Sequence, residues 1–570
     1  MAPEHIFPII YANLDPDLTP SPQNMESPSS TTITEITRAF FALQVFSTAC
    51  RRATLSDEVA AEIWPRIWGW ISFVDFYRDY DNPALRNVSQ PQVYSTLIQA
   101  ICEFCFPVGM IRGKLVTDTP GWRTFITRAW SVFVAEGDFT RETQFHNLCT
   151  IMVRDMQAAH PTNFRELIDG VGGNVDDLAA LVIQHLKLLL TYLDVAQTTS
   201  IRVMLGGPFQ LLIDTDGKQP EFWHAILKQG IITVLTTAIC RFAVDARLGD
   251  PLGSCLRLLV SMTGRPLDSF RWMTEALKSG LMKAVLLCCT SNIDGVPPQT
   301  EYFLQEAIPR ALVSYSAVVQ VERALADGFP LASLPSFRAS PLVYAWDRLA
   351  ILATERIKVM KDYSGGGYAT LRVCDNIKCA KVTAKHGIKQ CSACEMVYYC
   401  SWACQYVDWR DGGHRHDCKI YTAAGPRKPE HLSARERSFM CALLQSDYRA
   451  QRHTILLHKI AFMYERPGGT FCMTSLPTSP HTLCNSRRAA RSDPRTEIIM
   501  MMITEGVTTR VRAVSVRFRK SNIYYALRRI VDRIPAGLGI LDISQVETHF
   551  GAQVRALRED DEPVFSLYAE

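Results

Sequence analysis

The stretch Cys391-Ser392-Ala393-Cys394-Glu395-Met396-Val397-Tyr398-Tyr399-Cys400-Ser401-Trp402-Ala403-Cys404 places four cysteines in fourteen residues. Cys391 and Cys394 enclose two small residues, a tight knuckle that aims two sulfurs at one ion. Cys400 and Cys404 are four apart, so one helical turn puts both on the same face. Between the two pairs, Met396-Val397-Tyr398-Tyr399 has the aromatic and β-branched character of a short strand.

Working outward, Cys374 and Cys379 precede this stretch, while His414 and Cys418, again four apart, follow it. Eight thiolate and imidazole ligands make two closed tetrahedral sites of the kind zinc prefers. Four protein ligands leave no open position for a reacting water, so the expected role of the two Zn2+ ions is structural. Spacing alone permits the first four ligands on one ion and the last four on the other. So short a segment cannot bury enough apolar area to order itself, and metal should supply most of its folding free energy. His386 and His416 are spare imidazoles: His386 sits in a Lys-rich loop, and His416, two residues from Cys418, would face away from it on a helix.

Seven of the 18 cysteines fall between Cys374 and Cys418. The others, such as Cys102, Cys105, Cys240, Cys288 and Cys289, lie in apolar helical patterns and read as core residues in a reducing compartment. The start Met1-Ala2-Pro3-Glu4-His5 has no basic segment leading into an apolar run, so no secretory leader is expected. The apolar stretch Leu178 to Leu193 contains His185 and Lys187 and is too short for a bilayer, so no membrane span is expected. An intracellular protein, cytoplasmic or nuclear, follows.

With 47% hydrophobic and 21% charged residues the chain has the balance of a globular protein, and 570 residues call for several domains. Residues 1–32, rich in Pro, Ser and Thr, read as a disordered tail. Residues 33–362 repeat apolar positions at three- and four-residue intervals, a helical region. Val175 to Ala196 aligns Leu178, Leu181, Val182, His185, Leu186, Leu189 and Leu193 behind Asn174 as N-cap, and Ser340 to Met360 aligns Leu342, Val343, Trp346, Leu349 and Ala350. Residues 225–232 echo residues 275–282, a helix ending at glycine before another helix. This punctuation resembles armadillo-like solenoids, though any two amphipathic helices with a glycine C-cap look alike. Residues 363–370 read as a flexible linker, 371–420 as the finger, and 431–570 as a small α+β domain. The fold class is mainly α.

The segment Cys374 to Cys418 resembles the MYND finger family, above all in Cys391-Ser392-Ala393-Cys394, Tyr398-Tyr399-Cys400-Ser401, Cys404-Gln405 and Asp408-Trp409. The long helical region before a late finger resembles the fungal MYND-containing proteins. The resemblance covers about a twelfth of the chain; four residues separate Cys374 from Cys379 where many members have two. It implies an interleaved cross-brace, with Cys374, Cys379, Cys400 and Cys404 on one zinc and Cys391, Cys394, His414 and Cys418 on the other. It further implies a protein-interaction module for short proline-rich, PxLxP-like peptides, with Gln405 and Trp409 lining a shallow groove. An indole face packs on proline while an amide holds an extended backbone; core packing between the metal sites is the other reading of Trp409. Pro16-Asp17-Leu18-Thr19-Pro20 itself reads PxLxP, so self-recognition is an expectation too.

RING fingers place histidine mid-order and finish with a CxxC pair, which this sequence does not. Some SET-type protein lysine methyltransferases contain a MYND finger, but early in the chain, and His481-Thr482-Leu483-Cys484-Asn485 imitates their cofactor segment poorly. P-loop, GxSxG and HExxH motifs are missing, so no catalytic residue is nominated. Six basic and five acidic residues within the finger give no surplus for nucleic acid. A basic surplus from Arg487 to Arg533 reads as a solvated face, with a nucleic-acid-associated regulator as the alternative.

Overall fold

Asn174 opens its helix as the sequence implies: its side chain accepts from the Asp176 N–H at 3.0 Å, and Val175–Tyr192 buries Leu178, Leu181, Val182, His185, Leu186 and Leu189. The computed structural model describes residues 3–52, 55–78, 84–105, 109–137, 142–155, 160–193, 198–264, 269–290, 298–368, 371–423 except 377, 380, 385–386 and 395–396, 433–465, 472–474, 496–505, 508–518, 522–534, 543–557 and 563–567. Among them helices dominate, and the protein is mainly α. The chain divides into two units, Met1–Leu259 with Ser291–Gly295 and Val260–Thr290 with Val296–Glu570. The helical region expected over 33–362 is therefore shared between units.

In the first unit, the described residues 3–32 depart from the expected disordered tail. Pro3–Asn13 is a helix packed on Ser30–Arg52, and Ile10 and Leu14 are buried. Pro16 and Pro22 each stand in the first turn of a short helix, where a missing N–H costs nothing. Ser21 Oγ caps the second by accepting from the Asn24 N–H. Deeper in this unit, Trp64 stacks on Phe104 with centroids 5.0 Å apart. The fully buried Trp130 donates its indole N–H to His185 Nδ1 at 2.8 Å.

The echoed segments share their geometry. Pro220–Lys228 and Ile231–Phe242 join at Gly230 with φ 89°, and Ser269–Lys278 and Leu281–Thr290 join at Gly280 with φ 100°. Among the described residues no single helix is long and apolar enough to cross a membrane. One pair, Pro220–Lys228 with Ile231–Phe242, passes by length and composition but is bent by 69°, and its apolar side chains are buried in the unit.

In the second unit, Val343–Ser364 precedes the cysteine-rich segment and Ala434–Glu465 follows it. These two helices pack together, so the segment leaves and returns to one platform. Arg356 forks onto the Asp447 carboxylate at 2.6 and 3.1 Å, and Tyr315, Tyr363 and Phe439 meet edge to face. Glu436, nearly buried, accepts from the N–H groups of Tyr315 and Ser316 and from the Ser316 hydroxyl, capping Tyr315–Ala332. The expected linker begins inside the helix: Gly367 N–H bonds to Asp362 O and Gly366 N–H to Tyr363 O, with Gly366 at φ 83°, which is a Schellman stop.

The cysteine-rich segment carries two hairpins, β1 (Leu371–Val373) with β2 (Val382–Ala384) and β3 (Lys389–Gln390) with β4 (Tyr398–Tyr399). Beyond it, β5 (Cys472–Thr474), β6 (Thr496–Glu505), β7 (Thr508–Phe518) and β8 (Pro563–Leu567) form one sheet in chain order. β5 and β6 run parallel; the other pairs are antiparallel, with Ile499 opposite Val514 and Val516 opposite Phe565. Asn522–Val531 and Ile543–Arg555 complete this region, burying Leu527, Ile530 and Val546 with Leu456 and Ile460 of Ala434–Glu465. Of the basic run, Arg510, Arg512 and Arg517 fall on β7 and Arg528 pairs with Asp532 at 3.1 Å, whereas Arg487, Arg488, Arg491, Arg495, Arg519 and Lys520 lie outside the described residues, as does His481–Asn485.

Candidate metal centre

Backbone hydrogen bonds shape each ligand turn. The Cys391 N–H bonds to Val397 O at 2.9 Å, closing the knuckle, and Cys374 N–H bonds to Lys381 O. Asp375, buried beside Cys374, accepts from the Tyr398 N–H at 2.7 Å and donates its own N–H to Tyr398 O, tying the first ligand to the strand that delivers Cys400. Ser401 then caps the helix Trp402–Arg410, its hydroxyl accepting from the Cys404 N–H at 3.2 Å. Cys404 thereby sits one turn from Cys400.

The eight predicted ligands gather into two interleaved groups, Cys374, Cys379, Cys400 and Cys404 in one and Cys391, Cys394, His414 and Cys418 in the other, with ligand atoms within 4.8 Å of one another. In the first, Cys400 Sγ lies 3.6 Å from Cys379 Sγ and 3.5 Å from Cys404 Sγ. In the second, His414 Nε2 lies 3.5 Å from Cys391 Sγ and 3.8 Å from Cys394 Sγ. A zinc tetrahedron with bonds of about 2.3 Å has sulfur-to-sulfur edges of about 3.8 Å. The sulfurs are too far apart for disulfides. Spacing, thiolate and imidazole donors and geometry all fit a metal ion in each group, the arrangement of a zinc finger. His414 is fully buried and edged by the Tyr399 and Trp409 rings, while His416 is exposed and His386 lies outside the described residues.

Thiol ionisation differs within the first group. Burial pushes the Cys374 thiol up. At Cys404 burial also raises it, but hydrogen bonds from Ser401 and the neighbouring thiols outweigh burial and hold it at about 7. A cation there would meet a ready thiolate.

The turn after Trp402–Arg410 needs glycine twice. A Cβ on Gly412 would lie 1.8 Å from Asp408 Oδ1, and Gly413 has φ 84°. That turn starts the helix His414–Ala423, which supplies His414 and Cys418. Asp408 is itself buried and accepts from the Tyr399 hydroxyl at 2.7 Å, so the inner side of Trp402–Arg410 is bolted to β4.

The outer side of that helix carries the two residues expected to meet a peptide. Gln405 is half-buried and Trp409 is 37% exposed, its ring 5.6 Å from that of His414. Sequence reading missed their neighbours: Trp402, 69% exposed, and Tyr406, 44% exposed, stack with centroids 5.2 Å apart. The signal was available, since Trp402, Tyr406 and Trp409 stand at helical spacing.

No family model matches the chain. The chain is similar to the F-box protein At1g67340 of Arabidopsis thaliana, with 45% identity over 49 residues, 8% of this chain and 13% of that protein. The shared length is a small fraction of either protein.

Proposed function

We propose that the chain is a MYND-type zinc-finger protein whose finger recruits partner proteins by binding short proline-rich, PxLxP-like peptides, inside the cell. One observation carries this reading. The helix that places Cys404 in one ligand group also carries the half-buried Gln405 and the 37% exposed Trp409 one turn apart on one side, so a metal held by Cys404 would fix an amide and an indole together. Four protein ligands in each group would leave a bound zinc ion no open coordination position, which supports binding rather than catalysis.

Self-recognition through Pro16–Pro20 gains no support. Pro16–Leu18 is a 3₁₀ turn, Pro20 is buried, and the Trp70 indole N–H bonds to Asp15 O at 3.3 Å. An extended ligand would require that turn to unwind.

The test is titration of zinc-loaded full-length protein with a proline-rich peptide panel, alongside Trp409→Ala. Saturable binding that the substitution weakens at least tenfold, about 1.4 kcal/mol, is expected. Absence of binding by protein carrying two zinc ions would reduce the finger to a structural clasp.

A further inference from the structure

The outer face of Trp402–Arg410 is wider than Gln405 and Trp409 require. At about 100° per residue, Trp402, Tyr406 and Arg410 form one row and Gln405 and Trp409 the adjoining row, with the metal ligand Cys404 on the opposite side. Trp402 and Tyr406 are not loose surface aromatics. Their rings stack at 22°, Arg410 donates to the Tyr406 hydroxyl at 3.0 Å, and its guanidinium lies 5.6 Å from the Tyr406 ring centre. The result is a flat aromatic ledge ending in a cation. Asp408 and Asp411 lie on other sides by the same helical phase, and Asp408 is buried against Tyr399, so the charge this helix brings to the ledge is that of Arg410.

We propose that the Trp402–Tyr406 ledge with Arg410 is a second subsite that takes a proline or aromatic residue of the bound peptide together with a neighbouring acidic side chain, making the preferred partner an acidic, proline-rich segment. This rests on the reading that Gln405 and Trp409 hold the peptide core. The dimensions agree: Trp402 and Trp409 are about 10 Å apart along the helix axis. One polyproline turn of three residues advances about 9 Å. A peptide lying along the helix with one proline on Trp409 therefore brings a residue one turn away onto Trp402. A guanidinium has five N–H donors, and Arg410 uses one on Tyr406, so a carboxylate beside the ledge can be held by the others.

The experiment titrates zinc-loaded full-length protein with three sets of peptides: a bare PxLxP core, the core with glutamates on either flank, and the core with lysines at the same places. Each set is repeated on Trp402→Ala, Arg410→Glu and Trp409→Ala, with zinc content measured to confirm two ions per chain. Glutamate on one flank should tighten binding about tenfold over lysine, an advantage that shrinks as salt rises. Arg410→Glu should reverse that order, and Trp402→Ala should weaken the flanked peptide several-fold while leaving the bare core within about twofold. If the core binds and Trp409→Ala abolishes it, yet flank charge, Trp402→Ala and Arg410→Glu change nothing, the second subsite is overturned and the peptide-binding reading survives. If no peptide binds the two-zinc protein, both fall together.

Discussion

The cysteine-rich segment and the first helical unit reach order by opposite routes. The helical unit buries Trp70, Trp122, Trp130, Trp223, Phe46 and Phe104 almost completely. The finger's buried cluster is Cys374, Cys391, Cys394, Val397, Tyr399 and Cys418, so only two of its six members are apolar residues outside the ligand set. Hydrophobic burial can hold the first. In the second, metal ions held by the two ligand groups would take that place, which separates the two regions in what would unfold them.

Metal removal should therefore produce the largest effect. Structural zinc contributes on the order of 10 kcal/mol to such folds. Chelation, or Cys391→Ser, is expected to open residues 374–418 to proteolysis while the thermal transition of the first unit stays put. Mass spectrometry of the fragments, with zinc measured per chain, reads both halves; a metal-free finger that still resists protease would erase the contrast. The converse lesion is Trp130→Ala, which empties a fully buried site and strips His185 of its indole partner. A loss of about 5 kcal/mol is expected. Calorimetry should show the first unit melting earlier with two zinc ions still bound, and a parallel loss of zinc would mean the regions are not independent.

The same contrast explains what the sequence made legible. Thiolate spacing is a local signal, so all eight ligands could be named, but their pairing depends on how the chain folds back, and spacing left the interleaving open. Periodicity revealed Val175–Tyr192 and Val343–Ser364 because their stripes are long. It concealed the helices of residues 3–26: prolines count as breakers in composition, yet Pro16 and Pro22 occupy first turns, and Pro3–Asn13 is ordered by packing on Ser30–Arg52, further along the chain, with Ile10 and Leu14 buried. Tyr363-Ser364-Gly365-Gly366-Gly367 read as a joint because glycine also ends helices, and here it does so with a fixed Schellman turn. The β5–β6 pairing is parallel and needs a long crossover, which leaves no short-range signature.

Acid should sharpen the comparison next. Burial holds the His185 imidazole neutral, lowering its pKa from 6.5 to about 3. The unfolded chain takes up that proton near pH 6.5 and the folded chain only near 3, so between those values unfolding binds a proton and stability falls as pH falls. Above pH 6.5 the effect is absent. Its full size, reached below pH 3, is on the order of 5 kcal/mol. His185→Gln keeps a side-chain acceptor for Trp130 and should flatten this acid slope in denaturant titrations of the first unit; an unchanged slope would assign it to other groups.

The smallest expected effect tests the platform rather than either extreme. Glu436 caps Tyr315–Ala332 from a helix far along the chain, so its carboxylate does for that N-terminus what a local Ser or Asp does elsewhere. Glu436→Ala removes three acceptor contacts but leaves Arg356–Asp447 and the Tyr315, Tyr363 and Phe439 rings in place. A loss of about 1 kcal/mol in the second unit is expected, with zinc content unchanged. Glu436→Gln should recover part of it, since the amide oxygen still accepts while the charge that favours a helix N-terminus is gone. If Glu436→Ala also released zinc, the finger would depend on its platform as well as its metal, and the division between metal-held and core-held regions would have to be redrawn along the packed helices Val343–Ser364 and Ala434–Glu465.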